Sequence, residues 1–116
     1  MERLARLTSD ADFQRVRREG RSWAGPLFVL VTLTNGLELS RFGFTAGKAV
    51  GGAVRRNRAK RLLREAVRAH LSRIQSGWDL VWIARAPIAR AKFAEVRAAV
   101  GRRLGRARVL KSESNG

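Results

Sequence analysis

Apolar residues change their spacing several times along this chain, and each change predicts an element. Residues 1–7 alternate charge with apolar positions and lack any hydrophobic run, which predicts a mobile basic arm. Thr8 or Ser9 can cap a helix starting near Asp10, with Asp10 and Asp12 at its positive end. Phe13 and Val16, three apart, share one face of that helix, and Gly20 is positioned as a left-handed terminator. Arg21 to Gly25 reads as a short edge strand or a loop, closed by Gly25-Pro26. Leu27 to Thr34 is β-branched and aromatic and predicts a strand, followed by the hairpin signal Asn35-Gly36. Leu39 to Thr45 then returns as the antiparallel partner, with Phe42 and Phe44 on one face and Arg41 and Gly43 on the other.

A long helical segment from Arg55 to Arg73 follows a glycine-rich elbow. Ser76-Gly77 breaks the pattern, and Trp78 to Arg85 predicts the last strand, with Val81 and Ile83 opposite Leu80 and Trp82. After Pro87, Phe93, Val96, Val100 and Leu104 mark the apolar stripe of a final helix from Ile88 or Ala89 to Arg106. Residues 107–116 are polar and read as a frayed end. With no internal repeat and no linker, the expectation is one domain over residues 1–116. It contains three helices and about four strands in the order α-β-β-β-α-β-α.

Charge changes the picture most in the long helix. The chain carries 25 Lys and Arg against 9 Asp and Glu, a formal net charge of +16. On a wheel of about 100° per residue, Ala59, Leu63, Ala66, Val67, His70, Leu71 and Ile74 form a face to bury. Asn57, Arg61, Arg64 and Arg68 line the opposite side, flanked by Arg58 and Lys60. A solvated helix ordinarily mixes signs, because like charges at i,i+4 cost a few tenths of a kcal/mol. Here Glu65 is the one acidic residue between Arg55 and Arg73. Arg55 and Arg56 also lie at the first turn, where the helix dipole disfavours cations by roughly 0.3–1 kcal/mol. A polyanion around the helix removes both penalties, so the strip predicts an RNA- or DNA-binding helix. A membrane surface is the weaker partner, because no aromatic face backs the charges. No apolar run approaches the roughly 20 residues that span a bilayer.

Catalytic constellations are missing from the sequence. There is no cysteine, which excludes disulfides and thiolate metal sites and fits a reducing cytoplasm. His70 is the one histidine and sits among Val67 and Leu71, as a packed residue does. Asp10 and Asp12 diverge on a helix and cannot jointly hold Mg2+. Gly43 to Ala49 is spelled like a phosphate loop but has three residues between its glycines and no Ser or Thr after Lys48. The Gly101-to-Gly105 spacing is that of a GxxxG, in a charged segment. A chain of this kind is expected to bind no metal or cofactor and to break no covalent bond unaided.

The run GFTAGKAVGGAVRRNRAKRLLRE, residues 43–65, resembles the signature of the protein subunit of bacterial ribonuclease P. Asp12-Phe13-Gln14-Arg15-Val16 with Gly20, Phe28-Val29-Leu30 and Ile83-Ala84-Arg85 with Pro87 extend the likeness across most of the chain. The resemblance implies an α+β fold with a small mixed sheet. The basic helix would cross between parallel strands in the left-handed sense, against the general rule. It implies a cytoplasmic ribonucleoprotein that removes the 5′ leader from precursor tRNA, with Mg2+ held mainly by catalytic RNA and substrate. On this sequence, Arg56, Asn57, Arg58, Lys60, Arg61, Arg64 and Arg68 fall on the motif that faces the catalytic RNA, and Lys48 on a lysine of the same signature. Phe13, Val16, Arg17 and Val31 fall in the cleft for the single-stranded leader; other members carry aromatics where Arg17 and Val31 stand. A ribosomal protein and a stand-alone nuclease are the alternatives. The first would co-sediment with ribosomal subunits; the second would cleave with Mg2+ and no RNA.

Overall fold

The computed structural model describes residues 4–112. Its order is β1 (Ala5–Arg6), α1 (Asp10–Glu19), β2 (Arg21–Ala24), β3 (Phe28–Thr34), β4 (Arg41–Ala46), α2 (Ala53–Arg68), β5 (Trp78–Ala84) and α3 (Phe93–Arg106). Tight 3-10 turns occupy Lys48–Val50, Leu71–Arg73 and Ala86–Arg90. The sheet has five strands in the order β1-β4-β5-β3-β2, one more than expected. β5 is antiparallel to β3 and parallel to β4, so the sheet is mixed.

The strand at the centre is the one that lacks alternation. Five of the seven residues of β5 are buried, Trp78 and Ile83 are half-buried, and a run covered on both faces belongs in the middle of a sheet. This overturns the expected hairpin: β3 and β4 are not partners, because β5 lies between them. Asn35 is used differently, accepting from Leu37 N and donating to Leu39 O, in a loop too long for a two-residue turn. β4 and β5 are joined through α2, which lies against both.

Two apolar layers result. Phe28, Leu30, Phe42, Phe44, Leu80 and Trp82 face α2 and α3, meeting Ala59, Leu63, Ala66 and Val67 from α2 and Val96, Val100 and Leu104 from α3. Phe28 and Trp82 pack edge to face at 5.4 Å. On the other face Val31 and Val81 are covered by Leu7 and Val16, with Phe13 against them.

Several expectations about ends fail, and at the two chain ends the reason is that the apolar residues there have somewhere to go. Residues 4–7 are no loose arm: β1 pairs in parallel with β4, Leu7 N–H donates to Phe42 O at 2.8 Å, and Leu4 and Leu7 are buried, one in each layer. Residues 1–3 and 113–116 lie outside the described residues. Ala107 and Val109 are buried, and Leu110 bridges to Ile74, so the chain after α3 is tied down as far as Lys111. Helix α2 ends at Arg68, short of Arg73, where His70 turns its ring to Arg97 O on α3. Phe93, expected on the buried stripe of α3, is exposed at its first residue.

Gly20 is extended, with φ −81°, and is no left-handed terminator. Its lack of a side chain serves packing: a Cβ there would lie 2.5 Å from Val16 O and 2.7 Å from Thr32 O.

Candidate nucleic-acid interface

Helix α2 sorts its side chains as its periodicity requires. Ala59, Leu63, Ala66 and Val67 are 1% exposed or less, which fixes the rotation of the helix on the sheet. That rotation leaves Asn57, Arg58, Arg61 and Arg68 exposed, with Arg56, Lys60 and Arg64 half-exposed beside them. Lys48 and Arg55 are exposed at the helix start. Gly52 is the N-cap and offers no side chain to the first turn, so free backbone N–H groups accompany these cations. Gly51, at φ +137°, lets the Arg55 stem lie against the backbone; a Cβ there would sit 2.6 Å from Arg55 Cδ.

Little neutralises the strip from within. Among the described residues its one ion pair is Arg68 with Glu65, at 3.5 Å and largely solvated, a contact worth about 0–1 kcal/mol. Arg58 reaches Ala89 O at 3.4 Å, a long contact. Arg56 Nε is shielded from solvent with no partner among the described residues. Val54 adds an apolar side chain 83% exposed at the end of the same helix, a residue the sequence pattern did not single out.

The second surface lies across the sheet, beside α1. Strand register places Val29, Ile83 and Thr45 in one row, partly exposed, next to the buried row of Val31, Val81 and Gly43 beneath α1. Phe13 lies over Gly43, whose absent Cβ would meet the ring at 2.7 Å. Asp10, Phe13, Gln14, Arg17, Phe44 and Thr45 line a groove of about 370 Å³. Two of the four cleft residues named from the sequence are not on this surface. Val16 is 0% and Val31 2% exposed, because both fill the layer between α1 and the sheet. Phe13 stays half-buried and Arg17 exposed at this surface.

What holds α1 in place was not foreseen from the sequence. Asp79, on β5, has a fully buried carboxylate that accepts from Arg15 Nη2 at 2.7 Å. It also accepts from Arg41 Nε and Nη2 at 2.9 and 2.8 Å and from Asn35 Nδ2 at 2.9 Å. Burial pushes the Asp79 carboxyl up, but the bonds from Arg41, Asn35 and Arg15 together outweigh it and hold the group below the usual carboxylate range. The same bonds to Asp79 raise Arg15 and Arg41 against the effect of their desolvation. The one signal in the sequence is an acidic residue inside an otherwise apolar strand.

Several carboxylates are already engaged within the protein. Asp79 is saturated by cations, Asp12 pairs with Arg15 at 3.3 Å, and Glu95 closes the start of α3 by accepting from Lys92 N–H. Among the described residues no three metal-ligating side chains converge. No helix there is long and apolar enough to cross a membrane.

A sequence model of the family described as Ribonuclease P matches residues 1–108. The "Ribonuclease P protein component" of Dehalococcoides mccartyi (strain CBDB1) is 47% identical over 110 residues, covering 95% of this chain and 90% of that protein. Among solved structures, the RNase P protein of Staphylococcus aureus superposes with a TM-score of 0.83 at 33% identity, covering 94% of this chain and all of that one. The RNase P protein of Thermotoga maritima does so at 0.79 and 34%, covering 87% and 96%.

Proposed function

Because this chain belongs to the ribonuclease P protein family, whose role is in tRNA 5′ processing, we propose that its α2 strip docks on the catalytic RNA while the α1 groove receives the single-stranded leader of precursor tRNA. The observation that carries this reading is the strip itself, a row of cations held outward by a buried flank and left almost without internal counter-charge. Catalytic RNA and substrate are both polyanions, and the strip replaces the counterions that would otherwise have to condense between them. Lys48, Arg55, Arg56, Arg58, Lys60, Arg61, Arg64 and Arg68 supply charge, and Asn57 a neutral hydrogen-bonding group. In the groove, Phe13 offers a ring to one base, and stacking of this kind is worth about 1–3 kcal/mol. Arg17 offers a guanidinium that can stack on a base or pair with a phosphate. Hydrolysis, with its Mg2+, is assigned to the RNA, in keeping with a chain in which no three metal-ligating side chains converge among the described residues. The holoenzyme is expected to work in the cytoplasm.

The test is the salt dependence of binding to the catalytic RNA. Each phosphate contact contributes roughly 0.7–0.9 to the log–log slope, so Arg61→Ala and Arg64→Ala should each flatten it by about that much. Identical slopes for variants and parent would reduce the strip to a solvated face. For the groove, Phe13→Ala should weaken precursor tRNA more than mature tRNA, and equal losses would remove the leader from the groove.

A further inference from the structure

The far edge of the sheet holds a third cluster of cations that neither surface uses. β2 is the edge strand, three positions from β4, and so roughly 14 Å away at ordinary strand spacing. Between β2 and α3 lies a recess of about 240 Å³ lined by Ser22, Trp23, Ala24, Arg103 and Arg106. Arg103 lies flat on the backbone at Gly25, where a Cβ would stand 2.9 Å from both Nε and Nη2. Its Nε is shielded from solvent and has no acceptor among the described residues. Trp23 is half-buried, fixed by donation from Nε1 to Thr32 Oγ1 at 3.3 Å, with the Arg21 guanidinium 4.6 Å from its ring centroid.

None of Arg21, Arg103 and Arg106 is paired with a carboxylate among the described residues. Gathering guanidiniums around a recess without counter-charge is unfavourable in the free protein, and a shielded donor without acceptor adds to that. An anion in the recess relieves both. The aromatic wall narrows the choice. An acidic side chain has no use for Trp23, whereas a nucleotide places a base or sugar against a ring while its phosphate meets arginine.

We propose that the β2–α3 recess is a further RNA-binding site, taking a phosphodiester on Arg103 and Arg106 with the adjoining nucleotide against Trp23. This rests on the RNA-binding reading of the chain and extends it to a strand running past the sheet edge remote from β1. The strand comes either from the catalytic RNA or from precursor tRNA.

The experiment uses the full chain and two binding measurements over a salt series. One is binding to the in vitro transcribed catalytic RNA; the other is binding of precursor tRNA by the reconstituted holoenzyme. Arg103→Gln with Arg106→Gln should flatten one of the two slopes by roughly 0.7–0.9 and weaken that affinity about tenfold near physiological salt. The slope that moves names the source of the strand. Arg61→Ala and Arg64→Ala run alongside. If they lose affinity while the recess variant matches the parent in both measurements, the recess is not an RNA site and the wider reading stands. If neither set has an effect, both readings fall.

A readout independent of variant folding comes from the absence of cysteine in the chain. Ser22→Cys, exposed at the recess, gives a unique attachment point for an azidophenacyl photoprobe. Crosslinks to RNA that disappear with excess unlabelled parent holoenzyme strands support the site. A photoprobe that labels no RNA, or labels protein in preference to RNA, overturns it.

Discussion

Replacing Asp79 by asparagine should unfasten α1 from the sheet at almost constant shape. The substitution removes one buried negative charge and presents an amide N–H₂ where Arg15, Arg41 and Asn35 now donate. Breaking a buried ion pair by removing one partner costs about 3–5 kcal/mol when the other charge is stranded. Here the stranded partners can recover water, since the side chains of Arg15 and Arg41 are 32% and 29% exposed. That lowers the expected loss to about 2–3 kcal/mol. A chain of 116 residues has an unfolding entropy of about 0.24 kcal/mol/K, so Tm should fall by roughly 10 °C.

The pH dependence carries a sign. The carboxyl is held below its usual range in the folded state, so its contribution is fully present above the unfolded value of about 3.9 and is lost as pH falls through the folded one. Thermal scans of parent and Asp79→Asn should therefore differ most from pH 5 upward and converge in more acidic buffer. A drop below about 3 °C at pH 7, or a deficit unchanged in strong acid, would refute the view that this carboxylate anchors α1.

Two glycines give further predictions with opposite characters. Gly20→Ala would set a Cβ against backbone oxygens of Val16 and Thr32, which cannot give way, and should cost about 3 kcal/mol in urea denaturation; a change under about 1 kcal/mol would mean the α1–β3 approach is looser than described. Gly43→Ala meets the far end of the Phe13 ring, which can swing aside, so it should cost only about 1 kcal/mol. The displaced ring should nonetheless lower precursor tRNA affinity as Phe13→Ala does, and a large stability loss with unchanged affinity would contradict that.

The basic helix was legible because its two requirements, an apolar flank and a cationic flank, are both periodic and local. The same holds for the facing of Phe42, Phe44, Leu80 and Trp82, since alternation in a strand is a local property. Partnership between strands is not. Asn35-Gly36 signals a turn, yet which strand then pairs with which depends on β5, more than 40 residues further on; its apolar run from Leu80 to Ala84 was the clue to a central place. The termini misled because Leu4, Leu7 and Val109 lie in short apolar stretches between charged residues, and their burial depends on an edge or bridge formed by distant chain. Val16 and Val31 were given to the cleft because the resemblance identifies a position, whereas the size of the side chain decides whether it reaches the surface. The Asp79 cluster joins residues from α1, the β3–β4 loop, β4 and β5, and no spacing along the chain announces it.

The placement of α1 and α2 on opposite faces of one sheet has a consequence for assembly. A ligand occupying either side meets a wall of packed side chains before it can crowd the other. On the function proposed above, the sheet is a partition between two ligands, and saturating one surface should leave the other vacant and undistorted. Order of arrival then becomes immaterial to the final complex, a property suited to a scaffold that remains in place while successive substrates come and go.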